Sequence, residues 1–182
     1  MRESAGEFQM FDLTAEKFEG VLPKGIKKLF SLKTLPRGLF LQTASVKALL
    51  SNRKRKMLVY WTELETSTGA IKAVSEGGGA FAIPLFPLLE KKGASRAILL
   101  SKMRIFISLC KKYNAQFFIC TLAQKEEQLR NARELIAVGE LLGLSENEAR
   151  ERMKTLGKIA DGARTGPRER MKTLGRIVGD KE

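Results

Sequence analysis

Short apolar runs alternate with amphipathic stretches along most of the chain, which is the pattern of alternating strands and helices. Six runs are rich in apolar, β-branched and aromatic side chains, and each predicts a strand. The runs are FQMFDL (8–13), IKKLFSLK after a turn at Pro23 and Gly25, GLFLQT (38–43), MLVYWT (57–62), AFAIPL (80–85) and AQFFICT (115–121).

Helices are predicted between these runs. Residues 45–56 and the stretch within 65–79 that ends at three glycines each predict a short helix. Residues 94–113 predict a longer one, because their apolar residues recur at spacings of four, three and four and so form a single stripe. The stripe consists of Leu99, Met103, Phe106 and Cys110.

Two further helices follow the last predicted strand. Residues 130–143 predict a helix whose inward side chains are Leu135, Val138, Leu141 and Leu142, with Gly143 just after its end. Ser145 and Glu148 have the spacing of a capping box, which predicts that another helix begins there.

The alternation predicts an α/β fold, a (β/α) TIM-like barrel with a parallel sheet. A closed barrel of this class has eight strands, so six predict one that is short or incomplete. We expect a barrel-like domain over 1–149 and a basic, duplicated helical tail over 150–182.

The tail contains a tandem repeat. RERMKTLGKIADGA (150–163) recurs as RERMKTLGRIVGDK (168–181), and Gly162, Gly166 and Pro167 argue against one unbroken helix through both copies. We favour a simple duplication that adds a second, loosely attached amphipathic helix. The alternative is a doubled RNA-binding element.

The charge points to a polyanionic partner. The net charge is +13, and two blocks contain cations without any acidic residue: ten Lys and Arg between Val21 and Thr62, and seven from Lys91 to Lys112. Such blocks favour contact with nucleic-acid phosphates. No motif for reading bases is present in a supporting context, so we expect backbone contacts.

The chain contains no histidine, which excludes the commonest general acid–base group, the usual zinc ligand and every Ser-His or Cys-His nucleophile. Carboxylates with magnesium remain possible, and Asp12, Glu63 and Glu65 are the candidates because they stand at predicted strand ends. The N-terminus has no apolar signal core, so we expect a cytoplasmic protein with Cys110 and Cys120 reduced.

One loop lies where active sites of α/β proteins are found. Thr121, Leu122, Ala123 and Gln124 follow a predicted strand, at its carboxyl end. The loop is either an active site or a remnant with a structural or RNA-contacting role.

Residues 87–149 resemble the C-terminal half of the archaeal ribonuclease P protein component 3 family. The resemblance rests on the order and spacing of short motifs rather than on any one of them. The motifs are Pro87–Leu89, Arg96–Ala97, Leu99–Leu100, Lys112–Tyr113, Thr121–Gln124, Arg133–Ile136 and Gly143–Leu144.

The resemblance implies a barrel related to metal-dependent phosphoesterases but without their catalytic histidines. It also implies binding to ribonuclease P RNA together with protein component 2, as a dimer of heterodimers. The RNA would carry out the magnesium-dependent removal of the 5′ leader from precursor tRNA, so we expect no catalytic residue, metal or cofactor in the protein itself.

We therefore predict a non-catalytic RNA-binding subunit that neutralises phosphate repulsion. The expected contacts are Lys27, Lys28, Arg53, Lys54, Arg55, Lys56, Lys91, Lys92, Arg96, Arg104, Lys111, Lys112 and Arg133. Two alternatives are a magnesium-dependent phosphoesterase or nuclease using Asp12, Glu63 and Glu65, and a general nucleic-acid-binding scaffold.

Overall fold

The structure is a computed structural model that describes residues 10–164. Within this range three strands come first without a helix between them, strands and helices then alternate, and a 3-10 turn lies at Glu126–Gln128. The strands are β1 (Met10–Thr14), β2 (Ile26–Ser31), β3 (Phe40–Thr43), β4 (Leu58–Trp61), β5 (Ala80–Pro84) and β6 (Gln116–Cys120). The helices are α1 (Val46–Ser51), α2 (Thr68–Glu76), α3 (Phe86–Glu90), α4 (Gly93–Lys112), α5 (Ala132–Leu141) and α6 (Glu146–Arg164).

All strand pairs are parallel. Strands β3, β4, β5 and β6 pair in that order, and β1 pairs with β2 in a second, smaller sheet. The end of β1 also adjoins the end of β6, because the Leu122 N–H donates to the Leu13 carbonyl at 2.8 Å and the Ala15 N–H donates to the Ala123 carbonyl at 2.9 Å. The first and last strands are therefore neighbours, as in a (β/α) barrel.

An opening separates β2 from β3. Within residues 10–164 no strand pairing joins these two strands, and residues 15–25 and 32–39 contain no helix. Parallel strands are usually connected by a helix that covers the sheet. The connections from β1 to β2 and from β2 to β3 lack such a helix, so this part of the sheet has no helical cover from them. The prediction of an α/β fold with parallel strands is confirmed, and the six strands are consistent with a partial barrel.

Two layers of buried side chains lie on opposite faces of the sheet. Val59, Phe81 and Ile119 face the helices, where Trp61 packs edge-on against Phe106 of α4 with ring centroids 5.8 Å apart. The alternate residues, among them Leu58, Ala82 and Phe118, face the other side. This alternation is the period of two expected for strands.

The prediction that Cys110 and Cys120 lie in the core is confirmed, since both are buried. Among the residues that the structure describes, no helix has the length and apolar character needed to cross a bilayer.

Most predicted helices are confirmed, with two corrections. The predicted helix over 45–56 ends at Ser51, because the Asn52 side chain donates to the Ala48 carbonyl and ends the helix, so the basic cluster after it forms turns. In α5, Leu135 and Leu142 are buried, but the prediction that Leu141 points inward is wrong, since its side chain is 47% exposed. The buried stripe of α5 consists of Ala132, Leu135, Ile136 and Gly139, and Leu141 falls outside that stripe.

The turn between the last two helices has the predicted geometry. Gly143 follows α5 with φ of 91°, a conformation that favours glycine. The capping box is confirmed: the Glu148 N–H donates to Ser145 Oγ at 3.2 Å, and the Ser145 N–H donates to Glu148 Oε2 at 2.9 Å.

Helix α6 crosses the expected domain boundary at 149/150 and continues through Gly162. It packs against β1 and β6, and Met153 and Leu156 are fully buried. The first copy of the repeat is thus part of the folded body, and the second copy lies outside the described residues.

Candidate nucleic-acid interface

The loop after β6 holds the sheet together. Asp12 of β1 is fully buried and accepts three hydrogen bonds. The Thr121 hydroxyl donates to its Oδ2 at 2.6 Å, and the Thr121 and Leu13 N–H groups donate to its Oδ1 at 2.7 and 2.8 Å. Burial raises the pKa of Asp12 to about 6, against the hydrogen bonds, which lower it.

This geometry gives the loop a structural role. Thr121, Leu122 and Ala123 are buried, and only Gln124 is exposed. Leu122 has φ of 48°, which turns the chain so that its N–H reaches β1. The loop occupies an active-site position, but three of its four residues join β1 to β6.

The carboxylates named for a metal site are not brought together. Glu63 and Glu65 are exposed and line a groove of about 570 Å³ together with Lys102 and Ile105, and Asp12 is not among its residues. No group of three or more potential Cys, Asp or Glu ligands exists within residues 10–164. The alternative of a magnesium site formed by Asp12, Glu63 and Glu65 finds no support in this geometry, because Asp12 is hydrogen-bonded inside the protein to Thr121.

Several predicted cations lie along the amino ends of the central strands. Arg53, Lys54, Arg55 and Lys56 immediately precede β4, and all four are exposed. The loop passes close to the turn before β5, since a methyl group added at Gly77 would collide with the Arg53 carbonyl. Within residues 10–164 none of the four forms an ion pair.

The end of α4 continues this edge. The Ser75 hydroxyl donates to the Asn114 carbonyl at 3.2 Å, which joins the end of α2 to the turn before β6. The ammonium groups of Lys72 and Lys112 lie 5.1 and 5.7 Å from the centre of the Tyr113 ring. We call Arg53, Lys54, Arg55, Lys56, Lys72 and Lys112 the amino-edge patch.

Lys111 adjoins the amino-edge patch but already forms an ion pair within the protein. Its ammonium lies 2.7 Å from Glu148 Oε1, and the hydrogen bond from Lys111 lowers the pKa of Glu148 to about 2. This pair joins α4 to α6, so it limits the charge that Lys111 offers to a partner.

Three predicted contacts lie at the opposite end of α4. Lys91 and Lys92 precede the helix, and the Arg96 Nε donates to the Lys91 carbonyl at 2.7 Å. Helix α4 ends just before β6 begins, so its last residues lie at the edge of the sheet where the strands start. Its first residues therefore lie toward the opposite edge, where the strands end. We call Lys91, Lys92 and Arg96 the α4-start group.

The remaining predicted contacts are dispersed. Arg104 is exposed and its Nε donates to the Leu141 carbonyl at 2.8 Å, so it links α4 to the end of α5. Lys28 lies on β2 with its ammonium 4.7 Å from the centre of the Phe30 ring. Lys27 is exposed on the same strand, and Arg133 is exposed in the first turn of α5. The structure therefore groups the expected contacts into two basic surfaces with outliers.

Sequence reasoning missed Lys72. It lies outside both uncompensated blocks, with Glu76 one turn later. The signal that could have found it is its place in a predicted helix that ends near the same turn, but this requires knowing that Tyr113 lies alongside.

Comparison with known proteins agrees with the resemblance over residues 87–149. The family described as RNase P subunit p30 matches residues 62–165. Ribonuclease P protein component 3 of Methanosarcina acetivorans is 38% identical over 97 residues, which cover 53% of this chain and 41% of the relative. The protein of the same description from Methanosarcina mazei is 36% identical over 97 residues, with the same coverage.

A solved structure shares the fold. A chain of the cryo-EM structure of archaeal Ribonuclease P with mature tRNA matches with a TM-score of 0.64 and 23% identity, covering 71% of this chain and 58% of that chain. At this identity the likeness shows the fold alone. The match spans less than half the length of the curated relatives. Because the family match covers more than half of its 182 residues, this chain belongs to the RNase P subunit p30 family.

Proposed function

We propose that this chain is a protein subunit of a ribonuclease P that binds the RNase P RNA and supports removal of the 5′ leader from precursor tRNA. The amino-edge patch is the observation that carries the proposal. Four consecutive cations stand exposed there and form no ion pair within residues 10–164, and the ammonium groups of Lys72 and Lys112 extend the surface beside the Tyr113 ring. In this proposal the protein supplies no catalytic group, and magnesium acts through the RNA.

The mechanism is neutralisation of phosphate charge. Each cation that binds a phosphate releases condensed counterions, which gives affinity without reading sequence. Neutralising crowded phosphates lets a folded RNA hold its active shape at lower magnesium concentration.

The α4-start group adds a second phosphate contact. The backbone N–H groups in the first turn of a helix lack helical partners, and no side chain of residues 10–164 caps α4. Cations near a helix N-terminus are electrostatically unfavourable without an anion, so Lys91 and Lys92 are better explained by contact with a phosphate.

The proposed assembly includes RNase P protein component 2, as a dimer of heterodimers, in the cytoplasm. The relatives are themselves named as one numbered protein component, which supports assembly with others. The solved structure that shares the fold is of an archaeal ribonuclease P with mature tRNA.

The test is cleavage of precursor tRNA by the cognate RNA and component 2 at limiting magnesium, with and without this chain. We expect the chain to lower the magnesium requirement and to cleave nothing alone. Replacing Arg53, Lys54, Arg55 and Lys56 by Gln should abolish most of the benefit, and should reduce the salt slope of RNA binding by roughly one per lost phosphate contact.

A matched control removes the same charge elsewhere, by replacing four exposed lysines with Gln: Lys17, Lys47, Lys125 and Lys158. Equal losses in both variants would mean that net charge, not the amino-edge patch, drives binding. Equal affinity for unrelated RNA, with no effect on cleavage, would instead support the general scaffold.

A further inference from the structure

The first copy of the repeat is held in a defined seat on the sheet. Leu156 and Ile159 of α6 belong to the buried layer on the sheet face that the other helices do not cover. Met153 belongs to the buried layer on the opposite face, which the helices cover. The helix therefore crosses from one buried layer to the other beside β1 and β6. We call the surface that receives these residues the α6 seat.

The α6 seat requires particular residue types. The Arg152 guanidinium lies 4.4 Å from the centre of the Phe117 ring, a cation–π arrangement. A methyl group added at Gly157 would lie 2.4 Å from Cε2 of Phe11, so the Phe11 ring would have to move to accept it. Met153 and Leu156 are fully buried, and Ile159 is 3% exposed.

The second copy has the same residue at every one of these positions. Five residues of α6 contact the α6 seat in this way. Their counterparts, 18 residues later in the chain, are Arg170, Met171, Leu174, Gly175 and Ile177. The nearby change from Lys158 to Arg176 falls at a position that is exposed in the first copy and keeps its charge. The second copy thus keeps all five of these residues.

The first copy also has supporting contacts at the start of α6. These are the capping box, the ion pair of Glu148 with Lys111, and Ala149 packed on Gly139. The corresponding positions of the second copy are Ala163, Gly166 and Pro167, which cannot cap, pair or pack in the same way. The first copy therefore binds the α6 seat more tightly.

We infer that the α6 seat is a binding site for either copy of the repeat, and that the second copy of the same chain occupies it when the first is displaced. The exchange frees the segment 146–167, with its cations, while the sheet keeps its cover of buried side chains. A partner can then engage the first copy without unfolding the rest of the protein.

Matched substitutions in the two copies test the exchange. Leu156→Asp places a charge at a fully buried position, and Leu174→Asp makes the same change in the second copy. We expect L174D to melt like the parent, L156D to lose several degrees, and the double variant to melt at least about 4 °C below L156D. Equal melting of L156D and the double variant overturns the inference.

A peptide tests the seat separately from the folding of either copy. The peptide RERMKTLGRIVGDK, at millimolar concentration, should raise the melting temperature of the double variant, and the same peptide with Asp for its Leu should not. No increase with the parent peptide overturns the inference.

Methyl NMR of ¹³C-labelled methionine reports which copy is bound. In L156D the Met171 methyl should take the buried chemical shift that Met153 has in the parent chain. A Met171 signal that stays at a solvent-exposed shift contradicts the exchange. A concentration-dependent dimer of L156D means that the second copy docks on another chain, which also overturns exchange within one chain.

Discussion

At the scale of single residues, the pairing of Asp12 with Thr121 shows what the sequence could and could not predict. The loop at 121–124 could be placed at the end of a strand, because a buried apolar run precedes it. Its bonding to Asp12 could not, because 109 residues separate the two and no local pattern records which strands become neighbours. Asp12 alone resembled a metal carboxylate, and its burial gives it a different role.

The buried carboxylate predicts an unusual pH dependence. The folded pKa of Asp12 is about 6, above the ordinary 3.8, so the folded state binds the proton more tightly than the unfolded state. Its contribution to stability is present below about pH 4 and is lost as pH rises to about 6, by on the order of 3 kcal/mol. Asp12→Asn keeps two acceptor bonds without the charge, so it should gain stability relative to the parent across this interval.

Urea unfolding at pH 4 and pH 7 measures this difference. Subtracting the two proteins removes the opposite trend from Glu148, whose lowered pKa costs stability in acid. Asp12→Ala, which loses the hydrogen bonds, should destabilise the protein at both pH values. A difference between the Asp12→Asn variant and the parent that does not change with pH would show that Asp12 does not titrate in this range.

At the scale of elements, the crossing of α5 and α6 depends on a close approach. A methyl group at Gly139 would lie 2.7 Å from the Ala149 Cβ and 3.1 Å from Ile119 Cδ1. The helices themselves were predictable from apolar spacing and caps. The role of Gly139 was not, because an apolar pattern does not show which small residue lies under a neighbouring helix.

Gly139→Ala sets helix propensity against packing. Propensity alone favours alanine by about 1 kcal/mol, whereas overpacking costs roughly 1–3 kcal/mol, so we expect net destabilisation. Gly69→Ala in α2 is the control, since nothing lies within 4 Å of the added methyl group and stability should stay the same or rise slightly. Thermal melts of both variants check this, and a more stable Gly139→Ala protein would show that the two helices move apart readily.

At the scale of the whole molecule, the six strands were predictable but the opening between β2 and β3 was not. Each strand is a local apolar run, whereas an unpaired edge depends on the order of all strands in the sheet. The same holds for the cations. The two basic blocks could be read from the sequence, but the amino-edge patch could not, because it depends on the turns before β4, β5 and β6 lying next to each other in the fold.

The opening predicts uneven protection from hydrogen exchange. Strands β4 and β5 are each paired on both sides, whereas β2 and β3 each have one edge that no other strand of residues 10–164 pairs with. We expect the most protected amides of β5 to exchange roughly a hundredfold more slowly than those of β3. Mass spectrometry of exchange at peptide resolution measures this, and equal protection would mean that β3 is covered on its second edge.

The neighbouring positions of β1 and β6 also constrain the order in which the strands can pair during synthesis. Strand β1 is synthesised before the other five described strands, and its partners at residues 121–123 follow more than a hundred residues later. Closing so long a loop carries an entropic cost that local pairing of β3 to β6 does not. The sheet from β3 to β6 can therefore assemble during synthesis before β1 pairs with residues 121–123. Docking of β1 against the end of β6 is then the late, slow step of folding.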